Sequence, residues 1–256
     1  MNPSLNRRDF LKTAATATAS AHLVNAQESG KKESASSPPL EIVVYLYPGM
    51  TALDAIGTYE VLRGIPNSTI RFAARERGLV RMDSQVLSLN AEHSIRDINA
   101  AGILVLPGGL TTPAQMQDKE LLAWVRQIHE KSKWTTSVCT GSLILAAAGL
   151  LKGLEATTHW LAMDALKMFG AKPTHQRVVQ QGKIITAAGV SSGIDMALKL
   201  VALEAGEEMA KGIQLAIEYD PQPPFNSGSI EKASPATVEK AKAFLAESTR
   251  KAAGTK

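Results

Sequence analysis

Apolar residues along this chain come in short runs that alternate with stretches of helical spacing. Residues 41–47 (Glu-Ile-Val-Val-Tyr-Leu-Tyr) are β-branched and aromatic and stop at Pro48-Gly49, which predicts a buried strand. Residues 53–62 carry apolar side chains at helical spacing and end near Gly64-Ile65-Pro66. Strands are predicted again over 69–74, over 102–106 up to Pro107-Gly108-Gly109, and over 134–138, which runs into Cys139. Between the last two, 119–130 places Leu121, Leu122, Val125 and Ile128 on one helical face. A helix of small residues follows over 141–148, ending at Gly149, and another over 160–169, ending at Gly170. Residues 177–180 and 183–186 flank Gln181-Gly182 as a hairpin. Helices over 192–203 and 207–218, a Pro-rich extended segment over 221–228 and a polar helix over 236–247 complete the chain.

Strands that alternate with helices imply an α/β fold: a parallel-rich central sheet flanked by helices on both faces, in one domain over 41–250. In such sheets the site lies beyond the carboxyl ends of the strands. Three places meet that condition: the turn after Tyr47, the turn at Pro107-Gly108-Gly109, and Cys139.

Composition narrows the function classes. The formal net charge is +4, and much of the excess lies at the two ends of the chain. No basic stripe with interleaved aromatic residues appears, so nucleic acid is not the expected partner. No Cys/His cluster has ligand spacing, and no metal or cofactor is expected. The single cysteine forms no internal disulfide and is either a small buried apolar residue or a reactive thiol.

The first residues read as an address. Asn6-Arg7-Arg8-Asp9-Phe10-Leu11-Lys12 resembles a bacterial twin-arginine export signal, and Val24-Asn25-Ala26 offers a small-residue cleavage site. The stretch between them is too short and too polar to span a membrane. Residues 1–26 are therefore expected to be an export signal, 27–40 a flexible lead-in, and the mature protein periplasmic and free of the membrane.

Ser137-Val138-Cys139-Thr140-Gly141-Ser142 is the strongest local feature. A strand ends, one residue turns, and a helix of small residues begins, which is how an elbow presents a nucleophile. The helix N-terminus favours thiolate at Cys139, and Thr140 supplies a backbone N–H beside it. Gly108 and Gly109 follow a neighbouring strand and are placed to turn N–H groups inward as an oxyanion-type site. Asp54, at the opening of the first helix, either caps that helix or carries a proton toward the cysteine. His159, in Ala156-Thr157-Thr158-His159-Trp160, is the histidine best placed to bind substrate or act as a base; His93, His129 and His175 lie in polar segments.

Together these pieces resemble the ThiJ/PfpI family, which has the flavodoxin-like, class I glutamine-amidotransferase-like fold with a cysteine elbow. The likeness rests on Leu53-Asp54 with Gly57, Leu106-Pro107-Gly108-Gly109, the stretch from Thr136 to Leu143, Thr157-Thr158-His159-Trp160, Gly193-Ile194-Asp195, and Pro223-Pro224-Phe225-Asn226-Ser227-Gly228. Within the family it is nearest the isonitrile hydratase branch, where Thr follows the cysteine as Thr140 does here. The resemblance implies Cys139 as nucleophile, Asp54 as its acid partner, a backbone contribution from Thr140, a small-molecule substrate and a homodimer. The activity it implies is addition of water to an isonitrile to give an N-substituted formamide. Two other readings stay open on the residues: attack of the same thiol on reactive carbonyls such as methylglyoxal, and a periplasmic redox-stress module without turnover.

Overall fold

The structure, a computed structural model, describes residues 38–252. The expected export signal and nearly all of the lead-in lie outside the described residues. The first strand, β1 (Leu40–Tyr45), starts within two residues of Pro38. The strands that follow are β2 (Ser68–Ala74), β3 (Gly78–Arg81), β4 (Ser88–Ala91), β5 (His93–Ser94), β6 (Ile103–Leu106), β7 (Trp134–Val138), β8 (Glu155–Ala156), β9 (Lys172–Pro173), β10 (Val178–Gln181) and β11 (Ile184–Ala187). The helices are α1 (Ala52–Leu62), α2 (Thr112–Gln115), α3 (Lys119–Lys131), α4 (Gly141–Ala147), α5 (Met163–Met168), α6 (Ser192–Ala205), α7 (Glu207–Ala216) and α8 (Pro235–Ala252).

Seven strands form one sheet in the order β10-β11-β7-β6-β1-β2-β5. All neighbours pair in parallel except the β10–β11 hairpin, which turns at Gln181-Gly182 as its sequence predicts. Strands β1 and β6 lie in the middle and are covered on both faces, so they read as continuous apolar runs: Ile42, Val43 and Val44 in β1 and all four residues of β6 are fully buried. Seven of the eight described helices form two packed groups, α2, α3 and α5 around α4, and α1 with α7 around α6.

Strand β7 departs from that apolar pattern. Thr135, Thr136 and Ser137 are buried, and two of their hydroxyls have partners: Thr136 Oγ1 donates to the Leu104 carbonyl at 2.9 Å, and Thr135 Oγ1 meets Ser132 Oγ at 2.8 Å and His129 Nδ1 at 2.9 Å. The short strands β3, β4, β5, β8 and β9 carry no periodicity of their own. β3 and β4 form a separate antiparallel ribbon, and β5 extends the edge of the main sheet by only two residues.

The parallel arrangement brings the carboxyl ends of β1, β6, β7 and β11 to one edge. Helices α1, α4 and α6 start from that edge. This is where Asp54, Gly108, Cys139 and the turn after Ala187 converge.

Candidate active site

Cys139 follows the last residue of β7 and precedes α4. Its N–H is still held by the neighbouring strand, donating to Ala188 O at 2.8 Å and Ala187 O at 3.1 Å. The chain must then turn at once into a helix, and Cys139 takes up the turn with φ of 57°. A left-handed backbone at a non-glycine residue costs about 1–3 kcal/mol, and it persists only where the surroundings fix it. Here the Cys139 carbonyl accepts from Thr158 Oγ1 at 3.1 Å and Ser142 Oγ at 3.2 Å. Two glycines make room for the bend. A Cβ on Gly141 would lie 2.0 Å from Leu106 O, and one on Gly108 would lie 2.5 Å from Thr140 N. Both contacts are with backbone, which has no way to swing aside.

Asp54 sits in the first turn of α1 and is fully buried. It caps nothing: Thr51 is the N-cap, with no side-chain cap bond. Instead Asp54 Oδ2 accepts the Gly108 N–H at 2.7 Å, while Oδ1 has no hydrogen-bond partner. Burial raises the carboxyl to about 8. The Gly108 N–H opposes that rise, the Asp83 charge adds to it, and the Cys139 thiol opposes it. Of the two placements open to Asp54, the helix cap is not taken, and the carboxyl lies between the Gly108 turn and the cysteine.

The thiol itself departs from the expectation. A helix N-terminus alone favours thiolate, but Cys139 is only 5% exposed. Burial first, and the Asp54 charge second, push the thiol well above the usual range. The N–H groups of Thr140 and Val190 and the Thr140 side chain face the sulfur and offset part of this. At neutral pH the resting pair is therefore a thiol beside a protonated carboxyl.

Gly108 and Gly109 are not an open oxyanion site. Gly108 N–H is taken by Asp54, and Gly109 N–H donates to Thr140 Oγ1 at 2.9 Å. The turn holds side chains in place, and the N–H groups that face the sulfur belong to Thr140 and Val190. His159 does not pair with the cysteine: among the described residues no hydrogen bond joins His159 to Cys139 or Asp54. Its Nδ1 accepts the Leu161 N–H at 3.4 Å, its ring lies against Gly189, and burial holds it below the usual histidine range.

His159 does line a cleft of about 600 Å³, whose lining includes Thr158 and Val190 but not Cys139 itself. Thr158, whose hydroxyl donates to the Cys139 carbonyl, and Val190, whose N–H faces the sulfur, connect the cleft to the elbow. Leu53, Trp160 and Met163 give apolar walls, and the segment around Phe225 and Ile230 closes one side. Arg177 also lines the cleft, but its guanidinium is committed to Asp195, whose other oxygen accepts from Tyr219 Oη at 2.9 Å. His175 lies on the rim, where Nδ1 is 3.2 Å from Glu231. Sequence reasoning missed Val190, His175 and the cleft-forming role of the segment after Pro223. For the last, the Pro223-Pro224-Phe225 run was the available signal, since two prolines hold an extended chain.

The fold and the elbow define a class: an α/β protein with a buried cysteine presented between a parallel strand and a helix, partnered by a carboxyl group. The model of the DJ-1/PfpI family matches residues 40–203, and the chain belongs to that family. It is 38% identical over 212 residues to an isonitrile hydratase of Pseudomonas putida, covering 82% of this chain and 92% of that protein. A crystal structure of a ThiJ/PfpI family protein from Pseudomonas syringae superposes with a TM-score of 0.78 at 38% identity, covering 90% of this chain and 97% of that one. Drosophila melanogaster DJ-1beta shares the fold at a TM-score of 0.64 and 21% identity, covering 70% of this chain and 98% of that one.

Proposed function

We propose that this protein adds water to an isonitrile, giving an N-substituted formamide through a thioimidate on Cys139. The observation that carries the reading is the Asp54 carboxyl, buried with one oxygen unpartnered beside the only cysteine and holding its proton up to about pH 8. An isonitrile carbon accepts a soft nucleophile once it has been protonated. Asp54 gives its proton to that carbon, leaving a nitrilium and a carboxylate. The Cys139 sulfur bonds to the carbon, and the thiol proton passes to the Asp54 carboxylate. The product of this half is a neutral thioimidate beside a protonated Asp54. Asp54 then protonates the thioimidate nitrogen, water adds to the carbon with loss of a proton to Asp54, and the carbon–sulfur bond breaks. As it breaks, Asp54 gives its proton to the sulfur and takes the one on the hydroxyl, so the sulfur leaves as the thiol and the formamide departs.

The Thr140 and Val190 N–H groups are the donors nearest the sulfur. They are the groups that would meet charge developing there. The apolar walls of the cleft and the neutralised Arg177 suit an uncharged organic substituent. The relationship to the Pseudomonas putida isonitrile hydratase supports the same reading. A redox-sensing thiol needs thiolate character and access, and burial works against both at Cys139. Export by the twin-arginine route, with cleavage after Ala26, and a homodimer belong to the same proposal. Assaying the purified protein with cyclohexyl isocyanide and with methylglyoxal, alongside Cys139→Ala, tests it. Turnover of methylglyoxal alone would shift the chemistry to carbonyls.

A further inference from the structure

Three hydroxyls stand behind the glycine turn, and two of them, on Tyr47 and Thr112, are buried and take no part in the chemistry above. Tyr47 Oη lies 2.9 Å from Thr112 Oγ1 and 3.2 Å from Pro107 O. Thr112 Oγ1 lies 2.8 Å from Thr140 Oγ1 and 2.8 Å from Gly109 O. Thr140 Oγ1 in turn accepts the Gly109 N–H at 2.9 Å. Each hydroxyl has one proton and two acceptors in reach: Tyr47 can donate to Thr112 or Pro107 O, Thr112 to Thr140 or Gly109 O, and Thr140 to Thr112 or to Gly109 O, which lies at 3.3 Å. Each hydroxyl also touches the turn, Tyr47 at Pro107 O and Thr112 and Thr140 at Gly109. Tyr47 and Thr112 are each 1% exposed, so water does not compete for the bond between them, while Thr140 is partly exposed.

We infer that Tyr47 and Thr112 are positioning residues for Asp54: with Thr140 they brace the Gly108–Gly109 turn, whose N–H fixes one carboxyl oxygen and leaves the other free to carry the proton. The inference rests on the reading of Asp54 as the proton donor. Its geometry is independent of the substrate. Asp54 is faced by Cys139 from the elbow, by Tyr47 from beyond β1 and by Asp83 from the turn after β3, so its titration reports how all of these are held. The Gly108 N–H is the strongest influence keeping the carboxyl from rising further. A loosened turn weakens that bond and moves the titration upward.

The test is a pH titration of the protonated Asp54 carboxyl by difference infrared spectroscopy, with Asp54→Asn as the blank. Thr112→Val removes the central hydroxyl at constant shape and should raise the midpoint by about one pH unit. Tyr47→Phe should raise it by about half a unit, and Thr112→Ser should restore the wild-type value. With isonitrile as substrate, the alkaline limb of kcat should move by the same amounts while KM holds. A merely structural role would lower stability and leave the midpoint where it was. An unchanged midpoint in folded Thr112→Val overturns the inference; if that variant does not fold, Tyr47→Phe, which keeps the ring in place, decides in the same way. The infrared titration needs no substrate, so a lack of isonitrile turnover counts against the proposed function, and an unmoved midpoint counts against this inference.

Discussion

Asp54 makes the thiol of Cys139 harder to ionise, while that thiol makes Asp54 easier to ionise. The asymmetry has a simple cause: a thiol donates toward a carboxylate, whereas a thiolate and a carboxylate repel. The first negative charge to form in the site therefore settles on Asp54, near pH 8, and the sulfur stays protonated well beyond that. The acid form of Asp54 and the thiol form of Cys139 coexist across the neutral range.

Activity should accordingly be flat through neutrality and fall as pH rises through about 8, where Asp54 loses the proton it donates. Asp54→Asn keeps the shape, cannot donate that proton, and should lose about a hundredfold or more in kcat together with the limb. A pH–rate profile of both proteins checks this.

Stability should respond to the same carboxyl, over a window that begins at lower pH. The folded carboxyl titrates at about 8, well above an exposed aspartate's ordinary value of about 3.9, so between those values the folded chain holds a proton that the unfolded chain has released. Stability then falls as pH rises through that window. Asp54→Asn removes the cost, and should be more stable than wild type by roughly 2–4 kcal/mol at pH 8, with the gap closing toward pH 4. Urea unfolding at two pH values measures it.

The elbow should tolerate no Cβ where α4 meets β6. Gly141→Ala drives a methyl group into Leu106 O and should cost about 3 kcal/mol or prevent folding. Gly212→Ala, in the exposed part of α7 with nothing near the added carbon, should instead gain about 0.5–1 kcal/mol. Thermal unfolding of the two variants separates a packing constraint from a general preference for alanine.

The cleft wall should affect binding alone. Phe225 is 77% exposed yet faces the cleft, so Phe225→Ala should raise KM for a bulky isonitrile about threefold to tenfold and leave kcat and melting temperature unchanged. Steady-state kinetics with a small and a large isonitrile would show the loss only for the large one.

Much of this was legible in the chain. The central strands announced themselves because burial on both faces demands unbroken apolar runs, as in Ile42-Val43-Val44 and Ile103-Leu104-Val105-Leu106. Cys139 and Asp54 were legible because an elbow and a helix opening are local patterns. The fate of the Gly108 and Gly109 N–H groups was not, because their partners come from α1 and from the residue after the cysteine. The ionisation of Cys139 was misjudged for a related reason: a helix N-terminus is visible in sequence, and burial is a property of the whole fold. Ribbon β3–β4 and edge strand β5 are too short to show a period.

The most direct test is the yield of N-cyclohexylformamide from cyclohexyl isocyanide with wild type, Cys139→Ala and Asp54→Asn at pH 7. Turnover by wild type, none by Cys139→Ala, and a residual trace with Asp54→Asn is the predicted outcome. Formamide from Cys139→Ala at the wild-type rate, or none from folded wild type, would contradict it.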